Sequence, residues 1–365
     1  MQSRQEILLG LSISLTGRFS AQGRQALDGL RLWQSYVNGR DGITLGQNGP
    51  RRVRVVFYDD QSLASLAREN ALRLLRQDRV DALFGPYSSG LTMTVAEVAH
   101  EQKRALWNHG GSSDEIFNRG WQHLVSTPTP ASDYLRDLPR RLEQQAPALR
   151  KICIVHSTRG TFATHVARGV VQTAPSEYSV QLISYSALDV DVLLRELHAS
   201  QPEILVLAGS FEQEIQIMRT RRRWPASIRA VAAVAAGVQP FYDELGRAAE
   251  GVIGPSQWEA HASFSAGIGP DAFWFLRNFR KQFRRKPEYT AAGSFAVGLI
   301  FKECVRRAGS LQDNNLLATA AELDGYTFYG RFRLDSASRR QVGHRILLIQ
   351  WVRDHKVLLP TGNIE

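Results

Sequence analysis

The sequence predicts an α/β fold built from two doubly wound lobes. The chain has 365 residues, which is more than one hydrophobic core usually serves. Apolar segments of strand length alternate with amphipathic helical segments, first in the amino-terminal third and again in the middle. This alternation predicts parallel sheets with helices on both faces.

The first lobe starts with an apolar strand at residues 7–15, and a helix follows in which Leu27, Leu30 and Val37 recur at helical spacing. The same order then repeats. Further strands are predicted at 53–58, 80–84 and 104–107, and helices at 23–38, 63–77 and 90–101.

The middle of the chain repeats the pattern, and a third phase follows it. Its predicted strands are 151–156, 180–185, 203–208 and 230–235, and its helices are 164–173, 189–200 and 212–223. The third phase has a short crossing segment at 251–255, helices at 272–283, 291–308 and 316–323, and strands at 330–334, 344–352 and 356–359.

The composition predicts a soluble globular protein. It is 43% hydrophobic and 22% charged, and no window reaches the ~18 to 20 uninterrupted apolar residues of a membrane helix. The first residues lead directly to the predicted strand at 7–15 and lack the pattern of a signal peptide. This indicates either a cytosolic protein or a mature domain whose leader is absent.

The formal net charge of +10 raises nucleic acid as a partner. The cations, however, fall in helical patches, and no nucleic-acid motif accompanies them. A solvated basic surface is therefore favoured, and no nucleic-acid partner is expected. The two cysteines, Cys153 and Cys304, are interpreted as buried thiols and show no metal-ligand spacing.

The loops that follow the predicted strands are rich in glycine, serine and aromatic residues. Ligands of open α/β sheets bind at this edge, and small residues let backbone N–H groups approach a ligand. The chain lacks a GxGxxG or P-loop motif, so a nucleotide is disfavoured, and neither a cofactor nor a metal is expected. The candidate contacts in the first lobe are Phe19, Gln22, Tyr87, Ser88, Ser89, Gly110, Gly111 and Ser112.

The stretch WNHGGSSDEIF, at residues 107–117, has two possible roles. Ser112 and Glu115 have the spacing of a capping box, which predicts a helix start. Four small residues in a row exceed what a cap needs, so the turn is also a candidate ligand contact.

Four segments carry a resemblance to a known family. The sequence is similar to type I periplasmic solute-binding proteins of ABC transporters, in the branch that binds branched-chain amino acids, amides and urea. The matching segments are ISLTGRFSAQGRQALDGLRL, VVFYDDQS, VDALFGPYSSGLT and WNHGGSSDEIF, and the closing segment from Tyr329 resembles the tail of the same group.

The resemblance implies two Rossmann-like lobes joined by three hinge crossovers, with a ligand cleft between them that closes on binding. Lobe one would comprise residues 1–125 and 255–329, and lobe two residues 126–254 and 330–365. The chain would be a monomeric, periplasmic or otherwise extracytoplasmic carrier that delivers a small molecule to a membrane permease.

The resemblance also assigns roles to residues. Ser89 matches the serine that holds a ligand carboxylate, and Gly110 and Ser112 match the turn that completes this site. In lobe two, Phe162 falls near a tyrosine that covers the ligand. Ser210, with Phe211 beside it, falls on another aromatic position.

One departure concerns the ligand itself. The acid that holds the ammonium of an amino acid falls on Ala236, and a buried ammonium needs a carboxylate or equivalent acceptors. We therefore expect a carboxylate ligand without an α-ammonium, such as an aromatic or aliphatic acid. The candidate apolar walls are Phe19, Tyr87, Trp107, Phe162, Phe211 and Trp258.

Three alternatives are weighed against the carrier. Enzymatic activity is not expected, because Ser112 and His109 lack a GxSxG elbow and an acid partner. The input domain of a membrane receptor or kinase stays open, since it uses the same fold. So does a binder of amide or urea ligands.

Overall fold

A computed structural model describes residues 6–262 and 264–360 of the chain. The fold is α/β, as predicted, and the chain forms two compact units. Unit 1 comprises Met1–Thr129 and Gln257–Arg345, and unit 2 comprises Pro130–Ser256 and Ile346–Glu365.

The strands and helices follow one another in the predicted order. The strands are β1 (Glu6–Ile13), β2 (Ile43–Leu45), β3 (Asn48–Asp59), β4 (Ala82–Phe84), β5 (Leu106–Asn108), β6 (Leu124–Ser126), β7 (Lys151–Ser157), β8 (Ser179–Tyr185), β9 (Ile204–Ala208), β10 (Ala230–Ala233), β11 (Ile253–Ser256), β12 (Gly325–Thr327), β13 (Gly330–Phe332), β14 (Leu347–Val352) and β15 (His355–Leu358). The helices are α1 (Ser20–Asn38), α2 (Ala64–Arg76), α3 (Ser89–Glu101), α4 (Glu115–Asn118), α5 (Leu138–Gln145), α6 (Phe162–Thr173), α7 (Val190–Ser200), α8 (Phe211–Met218), α9 (Gln239–Leu245), α10 (Ala272–Phe283), α11 (Tyr289–Ala308) and α12 (Asp313–Glu322).

Unit 1 is built on a six-stranded sheet in the order β2-β3-β1-β4-β5-β6. Its strands run parallel except for β2, which pairs antiparallel with β3. The central strand β1 is apolar along its length and buried after Glu6, as expected for a strand covered on both faces. The carboxyl ends of β1, β4 and β5 therefore meet at one edge.

Helices α1 and α11 pack closely on one face of this sheet, and two glycines permit their approach. A Cβ at position 29 would lie 2.1 Å from the carbonyl oxygen of Ala291, and one at 298 would lie 2.5 Å from the indole of Trp33. The core on this face also holds an aromatic cluster, in which Phe275 and Phe328 stack with ring centroids 4.6 Å apart.

Unit 2 has a seven-stranded sheet in the order β15-β14-β11-β10-β9-β7-β8. The strands from β7 to β11 run parallel, and β14 and β15 add antiparallel strands at one side. Helix α6 covers one face of the sheet, and helices α7 and α8 cover the other. Apolar side chains form a core layer on each face. β9 is buried throughout because it lies inside the sheet.

The chain changes unit after Thr129, after Ser256 and after Arg345, whereas the predicted changes lay near residues 126, 254 and 330. The third change of unit differs most from the prediction, because residues 330–345 still belong to unit 1. β13 pairs with β12, and His344 hydrogen-bonds to Thr129 Oγ1 and the carbonyl oxygen of Tyr329.

Some local predictions were wrong in extent. The helix predicted at 212–223 ends at Met218, and a short 3₁₀ turn covers Arg221–Arg223. The strand predicted at 230–235 ends at Ala233 and gives way to a 3₁₀ turn. Five elements were missed, three of them strands of only three residues, which carry too little periodicity to predict: β2, β6, β12, α5 and α9.

Two further predictions concern side chains and membranes. Both cysteines are buried and unbridged, and burial raises the pKa of each thiol to about 12. Among the described helices, none combines the length and apolar character needed to cross a membrane.

We predict that Gly298→Ala lowers the free energy of unfolding of unit 1 by about 2 kcal/mol, because the new methyl group overlaps the Trp33 indole. Urea titration followed by tryptophan fluorescence measures the loss. Gly90→Ala is the matched control: no heavy atom lies within 4 Å of the new methyl group, so better helix propensity should raise stability by about 0.5 to 1 kcal/mol. Equal effects of the two substitutions would contradict the packing argument.

Candidate functional site

Three loops of unit 1 meet at the carboxyl edge of its sheet. Phe19, after β1, makes an edge contact with Tyr87, after β4, with ring centroids 5.8 Å apart. The turn after β5 lies directly against the β4 loop, since a Cβ at position 110 would be 2.7 Å from the carbonyl oxygen of Pro86. The structure thus brings together the loops that the sequence predicted for a ligand.

The side chain of Asn108 organises the turn after β5. Its Oδ1 accepts hydrogen bonds from the N–H groups of Gly110 (3.0 Å) and Gly111 (2.8 Å). Its Nδ2 donates to the carbonyl oxygen of Gly111 and to Ser126 Oγ, both at 2.7 Å. These N–H groups were predicted as ligand donors, but the side chain of Asn108 already holds them.

The two glycines of this turn are required by close packing. A Cβ at Gly110 would lie 2.8 Å from Cα of Tyr87, and one at Gly111 would lie 2.4 Å from Cβ of Thr92. The glycine pair therefore lets the turn dock on the β4 loop and on α3. This is a packing reason for residues that the sequence interpreted mainly as ligand contacts.

The hydroxyl of Ser89 links the two loops. Ser89 Oγ accepts hydrogen bonds from the N–H groups of Ser113 (3.0 Å) and Ser112 (3.3 Å). Within the described chain, no acceptor takes the proton of this hydroxyl. Because Ser89 is half-buried at the start of α3, its O–H and the first N–H groups of that helix are available donors.

Ser88 holds the start of α3 in an unusual backbone geometry. It has φ of 80°, in the left-handed region that few residues other than glycine adopt, and its Oγ accepts a hydrogen bond from the N–H of Leu91 (3.3 Å). Ser88 Oγ thus acts as the acceptor that caps α3, whereas Ser89 Oγ accepts from the turn after β5. Strained residues of this kind cluster at ligand sites.

Aromatic and amide groups flank these donors. Tyr87 OH lies 3.0 Å from Tyr289 OH at the start of α11, and the guanidinium of Arg18 lies 4.4 Å from the ring centroid of Phe19. Gln22, one turn further along α1, has a buried Oε1 that accepts no hydrogen bond from any described residue.

Two acids fix the loop after β1. Asp60 accepts hydrogen bonds from the hydroxyls of Ser12 and Ser14, and Asp59 accepts from the N–H groups of Leu15 and Thr16. Burial raises the pKa of Asp60, whereas backbone and hydroxyl donors lower that of Asp59 despite a desolvation effect in the opposite direction. The loop that carries Phe19 is therefore held by the end of β3.

The predicted capping box at Ser112 and Glu115 was wrong. The helix that follows is the single turn α4, its N-cap residue is Asp114, and no side chain caps it. Asp114 instead forms an ion pair of 2.8 Å with Arg340. The serine stays in the turn because its N–H bonds to Ser89.

His109, directly before the glycine pair of the turn, is buried, and both its ring nitrogens are enclosed. Neither ring nitrogen has a hydrogen-bond partner in the described chain, and desolvation lowers the pKa of its imidazole to about 4. A neutral, enclosed imidazole is in no position to act as a base towards Ser112.

The predicted residues of unit 2 lie after its parallel strands. Phe162 is the first residue of α6, after β7, and makes an edge contact with Tyr134 at 5.2 Å. Ser210 caps α8 in a capping box with Gln213, after β9, and Phe211 packs partly into the core. The Ser210 oxygen is thus the acceptor that caps α8.

Ala236 is fully buried in the turn after β10, and sequence reasoning missed the acid beside it. Glu214, on α8, is 1% exposed; its Oε1 accepts the N–H of Gly209 and its Oε2 that of Ala235, each at 2.7 Å. Burial raises the pKa of Glu214 to about 8, and the backbone donors oppose this only in part. The sequence did contain a signal for this buried acid, because Glu214 occupies a position among the apolar residues of α8.

Two predicted aromatic walls lie in the core of unit 1. Trp107 is fully buried against Phe84 and Phe301. Trp258 donates its indole N–H to the carbonyl oxygen of Phe328 and is packed among aromatic rings. The described part of unit 1 thus gives both rings a packing role. Across residues 6–262 and 264–360, no group of acids, histidines and cysteines could hold a metal ion.

The chain matches a known protein family over nearly its whole length. The family described as periplasmic binding protein matches residues 6–356. Among curated relatives, Leu/Ile/Val-binding protein homolog 7 of Brucella melitensis is 22% identical over 301 residues, which is 77% of this chain and 72% of the relative.

Solved structures share the fold at low identity. A branched-chain amino acid transporter substrate binding protein of Streptococcus pneumoniae, in complex with isoleucine, is similar with a TM-score of 0.81 at 17% identity, over 96% of this chain and 97% of that one. A solute binding protein from R. palustris in complex with benzoate has a TM-score of 0.77 at 18% identity, over 97% and 95%.

We predict that Asn108→Ala lowers the free energy of unfolding of unit 1 by about 3 kcal/mol, because buried N–H groups of Gly110 and Gly111 lose their acceptor. Denaturant titration measures the change. Asn118→Ala, at an exposed position of α4, is the matched control and should change stability by less than about 0.5 kcal/mol. A loss no larger than that of the control would show that the turn does not depend on Asn108.

We predict a pH dependence in unit 2 from Glu214. The pKa of its carboxyl is raised on folding, so the stability that its proton provides is complete below the unfolded pKa and is lost as pH rises towards about 8. Urea titrations at pH 5, 6.5 and 8 should show stability falling with pH relative to Glu214→Gln, which has no proton to lose. Parallel pH profiles of the two proteins would contradict the assignment.

Proposed function

Because the chain belongs to the periplasmic binding protein family, we propose that it is the extracytoplasmic solute-binding protein of an ABC importer that takes up a small carboxylic acid. The family comprises substrate-binding proteins of ABC transporters and not enzymes. The proposed ligand carries a carboxylate but no α-ammonium, and it is an aromatic or aliphatic acid.

The carboxylate of the ligand is proposed to bind at the start of α3. Ser89 O–H would donate to one carboxylate oxygen, and its Oγ is held in place by the N–H groups of Ser112 and Ser113. Hydrogen bonds that a donor makes to a charged acceptor are the stronger ones, and a helix start favours an anion. The N–H groups of Gly110 and Gly111 take no part in this proposed contact, because Asn108 holds them, and Ser89 keeps the role that the resemblance implies.

The observation that carries the ligand class is the state of Glu214. Position 236 is alanine, and Glu214 lies next to it, but the carboxylate of Glu214 is enclosed and both its oxygens accept backbone N–H groups. A ligand ammonium placed near this turn could not pair with the enclosed Glu214 and would bear its desolvation cost without that partner. This favours an acid over an amino acid.

In unit 1, the apolar part of the ligand is proposed to lie against Phe19 and Tyr87. Aromatic rings suit a flat or branched apolar group. The buried Oε1 of Gln22 would accept a hydrogen bond from a hydroxyl of the ligand or from a water molecule.

Both ligand classes occur on this fold, since one similar structure contains isoleucine and another benzoate. Isothermal titration calorimetry with benzoate, a branched 2-keto acid, leucine and urea tests the choice. We expect heat of binding with an aromatic or keto acid and little with leucine. Tight binding of leucine, with none of either acid, would contradict the proposal. A response to urea alone would favour the amide branch.

We predict that Ser89→Ala together with Ser112→Ala weakens binding of the acid that the screen selects at least tenfold, because the proposed donor to the carboxylate is removed. Calorimetry gives the dissociation constant, and circular dichroism checks that the fold is kept. Thr94→Ala, which removes a hydroxyl from the same helix that donates only to Gly90, is the matched control. Unchanged affinity in the double variant would remove this site from the proposal.

A further inference from the structure

One face of α10 carries a row of cations with an exposed aromatic ring at its start. Phe273 is 70% exposed, and exposed cations follow it at helical spacing. Phe273, Arg277 and Arg280 are separated by four and three positions, so they share one side of α10, and Arg284 follows directly after the last helical residue. Lys281 flanks the row. We call these five residues the α10 patch.

The patch is opposite to the side that holds the helix in unit 1. Phe275 and Phe279 are fully buried in the core, and their positions point away from the row of cations. Because Phe275 and Phe279 face the core, the side chain of Phe273 is exposed to solvent. A large apolar side chain exposed beside several cations serves no packing purpose.

The cations of the patch lack acidic partners. Arg277, Arg280, Lys281 and Arg284 form no ion pair with any described carboxylate, and Arg277 instead lies 5.8 Å from the ring centroid of Phe273. The neighbouring acids are already engaged: Asp271 caps α10 through the N–H of Trp274, and Asp28 pairs with Arg285. The local field of the patch is therefore positive and uncompensated.

We propose that the α10 patch binds the surface of an anionic lipid membrane. A cluster of four or more cations is attracted by acidic headgroups, and an adjacent aromatic ring can enter the headgroup boundary. Exposed cations along one helix side suit an extended anionic surface. A nucleic-acid partner is disfavoured, because the family is periplasmic. The membrane contact would hold the carrier close to its proposed permease, and it does not depend on which ligand the carrier binds.

Vesicle co-sedimentation of the whole protein tests the proposal. We expect binding to vesicles of equal parts phosphatidylcholine and phosphatidylglycerol, weak binding to phosphatidylcholine alone, and loss of binding in high salt because ions screen the attraction. Replacing Arg277, Arg280 and Lys281 by glutamine should lower the partition coefficient about a hundredfold. Phe273→Ser should lower it severalfold without changing the salt dependence.

The matched control replaces three exposed arginines of unit 2 by glutamine, namely Arg195, Arg222 and Arg247. It removes the same charge from the total of +10 but leaves the α10 patch intact, and it should partition like the unchanged protein. Equal losses in the two triple variants would show that net charge alone drives adsorption and would overturn the proposal. So would a failure to prefer phosphatidylglycerol at low salt, which would point to an acidic protein as the partner.

Discussion

The side-chain amide of Asn108 is the interaction on which the candidate site depends. A turn of consecutive small residues has many accessible conformations, and four hydrogen bonds from one buried side chain select one of them. Once the turn is fixed, the N–H groups of Ser112 and Ser113 donate to Ser89 Oγ and hold this hydroxyl in place. The same bonds remove Gly110 and Gly111 as ligand donors, so one residue determines both which groups can bind and which cannot.

Unit 2 uses the same device with a different residue. Glu214 receives two backbone N–H groups from the ends of neighbouring strands and so holds the turn that contains Ala236. In both units a buried polar side chain organises a strand end, and the donors it holds are lost to a ligand. The outcome differs: unit 1 keeps a free hydroxyl, while unit 2 keeps an enclosed acid. This contrast is the physical basis for proposing an anionic ligand without an ammonium.

Packing and surface charge impose separate constraints on unit 1. α1 and α11 approach closely only because Gly29 and Gly298 leave room for a backbone carbonyl and for the Trp33 indole. α10 closes the same core through Phe275 and Phe279, which leaves its opposite side to the solvent. Because that side is independent of packing, its cations and Phe273 can be substituted without changing the core, and a surface function can be separated from the fold.

The sequence by itself determined the fold class, the order of nearly all long elements and the loops that meet at the sheet edge. These follow from apolar periodicity, which is a local property of the chain and needs no knowledge of partners. Tertiary structure decided which atoms remain free there. Asn108, Glu214 and Asp60 act through residues distant in sequence or through backbone groups that carry no residue identity. Likewise, Ser112 and Glu115 match the local pattern of a capping box, but the turn packs on Ser89 and the capping box does not form.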